Sequence, residues 1–246
     1  MVDITVYRAR KVITMDPGRP FAECVAVRDG RIVSTGTIES MQPWLKRYSH
    51  TIDETFADKI IMPGFIDPHT HFALSSSYLT MHYVGPIDSP GPQGINKGLR
   101  TRAEVMAKLQ EAADSDTDPD APVIVWGLDP ASQGGNLHRD ELDTIKTKRP
   151  IWVISYAPHF IYLNSSALER GKIPTNTNVH GVMRYPDGRL NGVFVELEAG
   201  RLALGSMREA IAGRGGANGI RRMGNVAQKA DITTTSEIIF GKGDFE

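Results

Sequence analysis

One cysteine, no long apolar run and almost no net charge narrow the reading of this 246-residue chain before any motif is considered. Cys24 has no second cysteine with which to form an internal disulfide, and in the apolar stretch AECVAV it reads as a buried structural thiol. No window holds the roughly 18 consecutive apolar residues of a membrane-spanning helix. The N-terminus, MVDITVYRARKVITMD, alternates apolar and polar residues and lacks the apolar core of a signal peptide. The 28 Lys and Arg are balanced by 29 Asp and Glu, without a long basic run. Attraction to nucleic acid or to an anionic membrane therefore has no electrostatic basis. A glycine-rich run at 213–219 contains no GxxxxGK[ST] and follows no strand, which argues against a phosphate loop. The expectation is a cytoplasmic protein that handles a small molecule and binds neither nucleic acid nor membrane.

What is present is strand and helix pattern in two styles. Residues 1–60 read as β-structure: ITVYRARKVITM and CVAVRDGRIVSTG alternate with the strand period, and Asp29-Gly30 is a hairpin signal. A short helix is expected over 38–48, followed by a return to strand in TIDETFADKIIMP. From residue 61 the pattern becomes apolar strands alternating with helices. IIMPGFID leads into a long irregular segment over 74–99, and RAEVMAKLQEAAD has helical spacing with Val105, Met106, Leu109 and Ala113 on one side. The runs PVIVWGL and IWVISYA flank a short helix around ELDTIK, and Asn164 or Ser165 can cap a helix that Gly171 ends. A hairpin through Asp187-Gly188 leads to a strand over 192–197. Helices over 201–211 and 218–230 and a strand at ITTTSEIIF complete the pattern. Continuous apolar strands separated by helices indicate an α/β fold with a parallel sheet covered on both faces. From IIMPGFID onward there are about five β/α units where a closed (β/α)₈ barrel has eight.

The chemistry is concentrated in PGFIDPHTH. Side chains two apart on a strand share a face, so His69 and His71 can hold one metal ion at about 2.0–2.1 Å from each nitrogen. With seven histidines in the chain, chance supplies about 0.2 such pairs, so the spacing alone is a weak signal. Position strengthens it: the pair lies at the C-terminal end of an apolar strand, where barrel active sites are built.

The stretch IIMPGFIDPHTHF resembles the PGxxDxHxH segment of the amidohydrolase superfamily, and VAVRDGRIVSTG resembles the start of that superfamily's small β-domain. WGLDP at 126–130, RDELDTIKTKRPIWVIS, His159 with the following YLNS, and DGRLNGVFVE are similar to the amidohydrolase family 3 (YtcJ-like) branch. The resemblance implies part of a small β-sandwich domain over 1–60, followed over 61–246 by the first portion of a TIM-type (β/α)₈ barrel. It implies one or two divalent ions, usually zinc, and hydrolysis of a C–N bond other than a peptide bond in an amide, formamide or cyclic amide. His69 and His71 would be the first two ligands. Glu196, at the end of GVFVE, would be a bridging carboxylate, with Glu198 the competing ligand and a solvated strand-end Glu the bland alternative.

Other residues carry weaker expectations. Asp67 shares the strand face of the two histidines and would orient a ligand or cap the strand end. His159, Trp126 and Asp129 lie at strand ends and would line the substrate site, packing or structural hydrogen bonding being the competing role. His82, His138 and His180 are read as surface residues. No histidine follows Glu196, so the later ligands and the general base of the family pattern are not found in the chain. The chain alone is therefore expected to be inactive, with pairing to a second copy or to a complementing C-terminal portion left open. A catalytically inactive fragment acting through partner contacts and a single-metal deaminase are the alternatives.

Overall fold

A computed structural model describes residues 3–91, 94–115, 118, 120–207 and 216–237. The chain divides into two compact units, residues 1–67 with 231–234 and residues 68–230 with 235–246.

In the first unit, β1 (Ile4–Ile13), β2 (Phe21–Arg28), β3 (Arg31–Gly36) and β4 (His50–Ile61) form a sheet in the order β3-β2-β1-β4. β1 pairs antiparallel with β2, which pairs antiparallel with β3, while β4 is parallel to β1. The β2–β3 hairpin turns at Asp29 and Gly30, with φ of 52° and 71°. These are the two left-handed residues of a type I′ turn, whose twist matches the strands it joins. Helix α1 (Ile38–Leu45) begins with a capping box between Thr37 and Ser40. It buries Met41 and Leu45 against Ile4, Val6, Cys24 and Ala26. Cys24 is fully enclosed, and burial pushes its thiol pKa up, as befits an inert core residue.

The second unit is built on a six-stranded sheet of β6 (His82–Tyr83), β9 (Val123–Leu128), β10 (Ile151–Ser155), β11 (Phe160–Leu163), β12 (Val182–Arg184) and β13 (Leu190–Val195). Its order is β12-β13-β11-β10-β9-β6. The short strands β7 (Ser89–Gly91) and β8 (Gly94–Asn96) form a separate antiparallel pair, and β5 (Phe65–Thr70) pairs with β14 (Ile232–Glu237). Around these run α2 (Phe72–Tyr78), α3 (Arg102–Asp114), α4 (Arg139–Leu142), α5 (Ser165–Arg170), α6 (Glu196–Gly205) and α7 (Ala217–Lys229).

The expectation of a wholly parallel sheet is corrected here. β6, β9 and β10 are parallel, but β11 runs antiparallel between β10 and β13, and β12 is antiparallel to β13. The reason is connection length. Only residues 156–159 join β10 to β11, and a parallel crossover needs a dozen residues or more. Because β13 is antiparallel to β11, it points the same way as β10. The C-terminal ends of β6, β9, β10 and β13 and the N-terminal end of β11 therefore share one sheet edge.

One face of the sheet packs Val123, Val125 and Val153 against Val105, Leu109 and Ala113 of α3, as the helical spacing anticipated. The other packs Trp152, Ile161 and Phe194 against Ala167 of α5 and Ala199 and Ala203 of α6. Burying a side chain such as Phe194 stabilises by about 1.5–3 kcal/mol relative to exposure. Asn164 is the cap of α5: its Oδ1 accepts from the N–H of Ala167 at 2.8 Å and of Ile151 at 2.9 Å, tying the helix to the start of β10. The strand expected over 192–197 ends at Val195, and α6 begins at Glu196, five residues before the helix start expected at 201. The end of that expected helix (208–211) and the last three residues of ITTTSEIIF lie outside the described residues. No helix among the described residues is long and apolar enough to cross a membrane.

Candidate functional site

His69 is exposed near the end of β5, and half-buried His71 follows the strand as the residue before α2. Their rings meet edge to face, with centroids 5.8 Å apart and planes at 77°. Two imidazoles on one ion, each with its centroid about 3.2 Å from the metal, come no further apart than about 6.4 Å. The observed pair lies inside that limit. The Nδ1 atom of His71 is buried without a hydrogen-bond partner. A buried nitrogen in that state carries a desolvation cost that a bound cation would offset. The donor chemistry and the orphaned nitrogen thus fit a divalent cation. Next to the pair, a carboxylate that the sequence reading missed is engaged: Glu237 Oε2 accepts the N–H of Ala73 in the first turn of α2 at 2.8 Å. Asp67 lies two residues before His69 on β5.

Glu196 stands where β13 becomes α6, and its backbone has a φ of 65°. A left-handed conformation in a residue with a Cβ costs about 1–2 kcal/mol, and such residues cluster at functional sites. Its main-chain N–H donates to the carbonyl of His159 at 2.8 Å. Its Oε2 lies 3.2 Å from His159 Nδ1, with both side chains about 60% exposed. The structure therefore brings together His69 with His71, and Glu196 with His159. Among the described residues, no three His, Cys, Asp or Glu side chains gather into a group that could hold a metal.

Trp126, near the end of β9, is at the centre of an aromatic cluster. Tyr78 lies 5.3 Å away on near-parallel planes (18°), Tyr156 lies 6.2 Å away, also at 18°, and Tyr83 is tilted at 4.9 Å. Burial raises the Tyr78 hydroxyl pKa. The Tyr83 hydroxyl is likewise raised by burial and then by the nearby Tyr156, while it donates to the carbonyl of Ile87 at 2.7 Å. Asp129 makes local contacts. Its carboxylate accepts from the N–H of Ala131 at 3.1 Å and the hydroxyl of Ser132 at 2.6 Å, closing the turn after β9. Gln133, fully buried, accepts the N–H of Asp129 and donates to the carbonyls of Val84 and Leu99. His138 lies against Tyr185 at the start of α4, and His82 is half-buried on β6 with its Nε2 3.5 Å from the Ser115 hydroxyl.

A sheet with helices packed on both faces is a layered α/β architecture. The chain belongs to the amidohydrolase family, whose description matches residues 57–242. It is 27% identical over 189 residues to the Arabidopsis thaliana protein LONG AFTER FAR-RED 3, covering 75% of this chain and 30% of that protein. A 53-residue stretch is 40% identical to imidazolonepropionase of Pyrobaculum arsenaticum, covering 22% of this chain and 13% of that enzyme. The fold is similar to that of an uncharacterized metal-dependent hydrolase from Pyrococcus horikoshii, with a TM-score of 0.61 and 14% identity over 95% of this chain and 42% of that structure. The chain thus spans less than half the length of each of these relatives.

Proposed function

We propose that this chain forms the first portion of a metal-dependent hydrolase that cleaves a C–N bond other than a peptide bond. The observation that carries the reading is the His69–His71 pair, with rings 5.8 Å apart and a buried, unpartnered Nδ1, inside the segment that matches the amidohydrolase family. The short likeness to imidazolonepropionase, whose name carries a cyclic imidazolone, supports a cyclic or simple amide as the substrate class.

In this reading His69 and His71 hold a divalent cation, zinc. Bound there, it would supply a water acidified toward a pKa of about 7 and polarise the carbonyl to be attacked. Among the described residues Glu196 is not gathered with the two histidines, and it is proposed to join them as a bridging carboxylate only in the completed site. His159 holds that carboxylate in a defined rotamer, and Trp126 with its aromatic neighbours walls the sheet edge against water. The remaining ligands and the proton-shuttling group come from a complementing C-terminal portion, which would extend the sheet toward a (β/α)₈ barrel. A stand-alone chain is then a metal-binding fragment without turnover, since loss of the general acid/base alone costs about 10²–10⁴-fold in rate.

The test is a zinc titration of the 246-residue chain followed through its histidine ring NMR signals. Zinc is expected to shift the His69 and His71 signals together in the wild type, and the His71 shift should be lost in His69→Ala. Signals of the two rings that do not respond to zinc, or a His71 shift unchanged in His69→Ala, would reject the metal assignment.

A further inference from the structure

We propose that Tyr156 is a stacking platform for a flat, unsaturated ring on the substrate. This rests on the hydrolase reading and adds to it a substrate class: amides whose acyl or cyclic part is planar and conjugated.

The argument begins with what holds the residue. Tyr156 is the first residue of the four-residue turn between β10 and β11, and its N–H donates to the carbonyl of Leu128 at 2.8 Å, fixing it to the end of β9. Its ring is backed by Trp126 at 6.2 Å and 18°, and Trp126 is backed in turn by Tyr78 at 5.3 Å and 18°. Tyr83, tilted against Trp126, braces the stack from the side. Trp126 is thus near-parallel to both tyrosines, and Tyr156 is the exposed member of the group.

The inner members are covered to different degrees, but Tyr156 is 45% exposed and belongs to neither core cluster of its unit. An isolated exposed aromatic on a surface needs no explanation. A braced one at the edge where β9, β10 and β13 end is different, because its ring is already ordered. A ligand stacking on it loses little side-chain entropy, which is what makes rigid aromatic residues efficient contacts. A planar ring placed on Tyr156 at the usual 4.5–7 Å would extend the group. A saturated ring of the same size would bury similar area but could not stack. The same turn ends at His159, whose Nδ1 lies 3.2 Å from Glu196 Oε2.

Benzamide and cyclohexanecarboxamide separate flatness from size. Each is titrated into the 246-residue chain, with binding read from tryptophan fluorescence and from ligand-observed NMR. Benzamide is expected to bind about three- to tenfold more tightly, the range that an aromatic pair adds beyond area burial. The preference should vanish in Tyr156→Ala and survive in Tyr156→Phe. Tyr156→Leu, apolar but not flat, should also lose it, and this decides the matter if the alanine variant fails to fold by circular dichroism. Equal affinity for the two amides in the wild type, or a preference kept in Tyr156→Leu, would overturn the proposal. Because the readout is binding without added metal, a failed zinc test leaves the platform standing, and a failed preference leaves the metal site standing.

Discussion

Replacing Glu196 by glycine and by alanine isolates the cost of its left-handed backbone. Both substitutions remove the carboxylate and its contact with His159, an exposed pair worth less than about 1 kcal/mol, so that loss cancels in the comparison. What differs is the Cβ. At an ordinary helical position alanine is favoured over glycine by about 0.8–1.0 kcal/mol. At a φ of 65° the order reverses. Glycine escapes a left-handed cost of about 1–2 kcal/mol and gives back about 0.4–1 kcal/mol through its freer unfolded chain. The glycine variant is therefore expected to be more stable than the alanine variant by roughly 0.5–1 kcal/mol, about 1–4 °C in melting midpoint. Thermal and urea unfolding followed through tryptophan fluorescence would measure it, since Trp152 is fully buried in this unit. An alanine variant as stable as the glycine variant, or more so, would refute the reasoning. A left-handed Glu196, held by the bonds from its N–H to the His159 carbonyl and from the Val195 N–H to the Gly181 carbonyl at 2.9 Å, is incompatible with that result.

Two further outcomes are expected. Gly192, with a φ of 82°, has no room for a side chain because a Cβ would press on the carbonyl oxygen of Leu163 and come within 3.0 Å of the Arg139 Cβ. Gly192→Ala should therefore lower stability by about 3 kcal/mol and, at ~2–4 °C per kcal/mol, the melting midpoint by roughly 6–12 °C, and a midpoint within about 2 °C of the wild type would contradict this. The Glu104 carboxylate is held below its ordinary pKa, first by the Thr101 hydroxyl and then by the Arg100 and Thr101 N–H groups. Its folded pKa is depressed, so its contribution to stability is present above the unfolded carboxylate pKa and is lost as pH falls through the folded one. Thr101→Ala should cost about 1 kcal/mol at neutral pH through loss of the helix cap and should flatten the acid limb of the stability–pH curve; an unchanged acid limb would show that Glu104 is not coupled to the cap.

How far the sequence could be read depended on the distance over which each feature is decided. The Asp29-Gly30 hairpin, helix α3 and the Asn164 cap are set by residues within a few positions of one another, and each was legible. The turn contacts of Asp129 are equally local, to Ala131 and Ser132. β11 was missed because FIYL is only four residues long, and its place between β10 and β13 is fixed by pairing across the sheet. The aromatic group joins residues 78, 126 and 156, separations at which neither strand nor helix periodicity carries information. The pairing of His159 with Glu196 follows from the β11–β13 register, Phe160 opposite Val195, which no one-dimensional pattern encodes. The spacing of His69 and His71 is local and could be read, but His71 falls just past the end of β5, at the cap of α2, where strand alternation no longer fixes its direction.

The brevity of the link between β10 and β11 has an evolutionary consequence. The strands on either side are locked by Trp152 opposite Leu163 and by Ile154 opposite Ile161, so residues 156–159 can change without disturbing the sheet. Those four positions include both the exposed ring of Tyr156 and the imidazole of His159. In the proposed reading, a single exchange of this short cassette would change both the ring offered to the substrate and the contact that holds Glu196, while the HxH strand stayed untouched. Divergence among relatives could then proceed by swapping one turn.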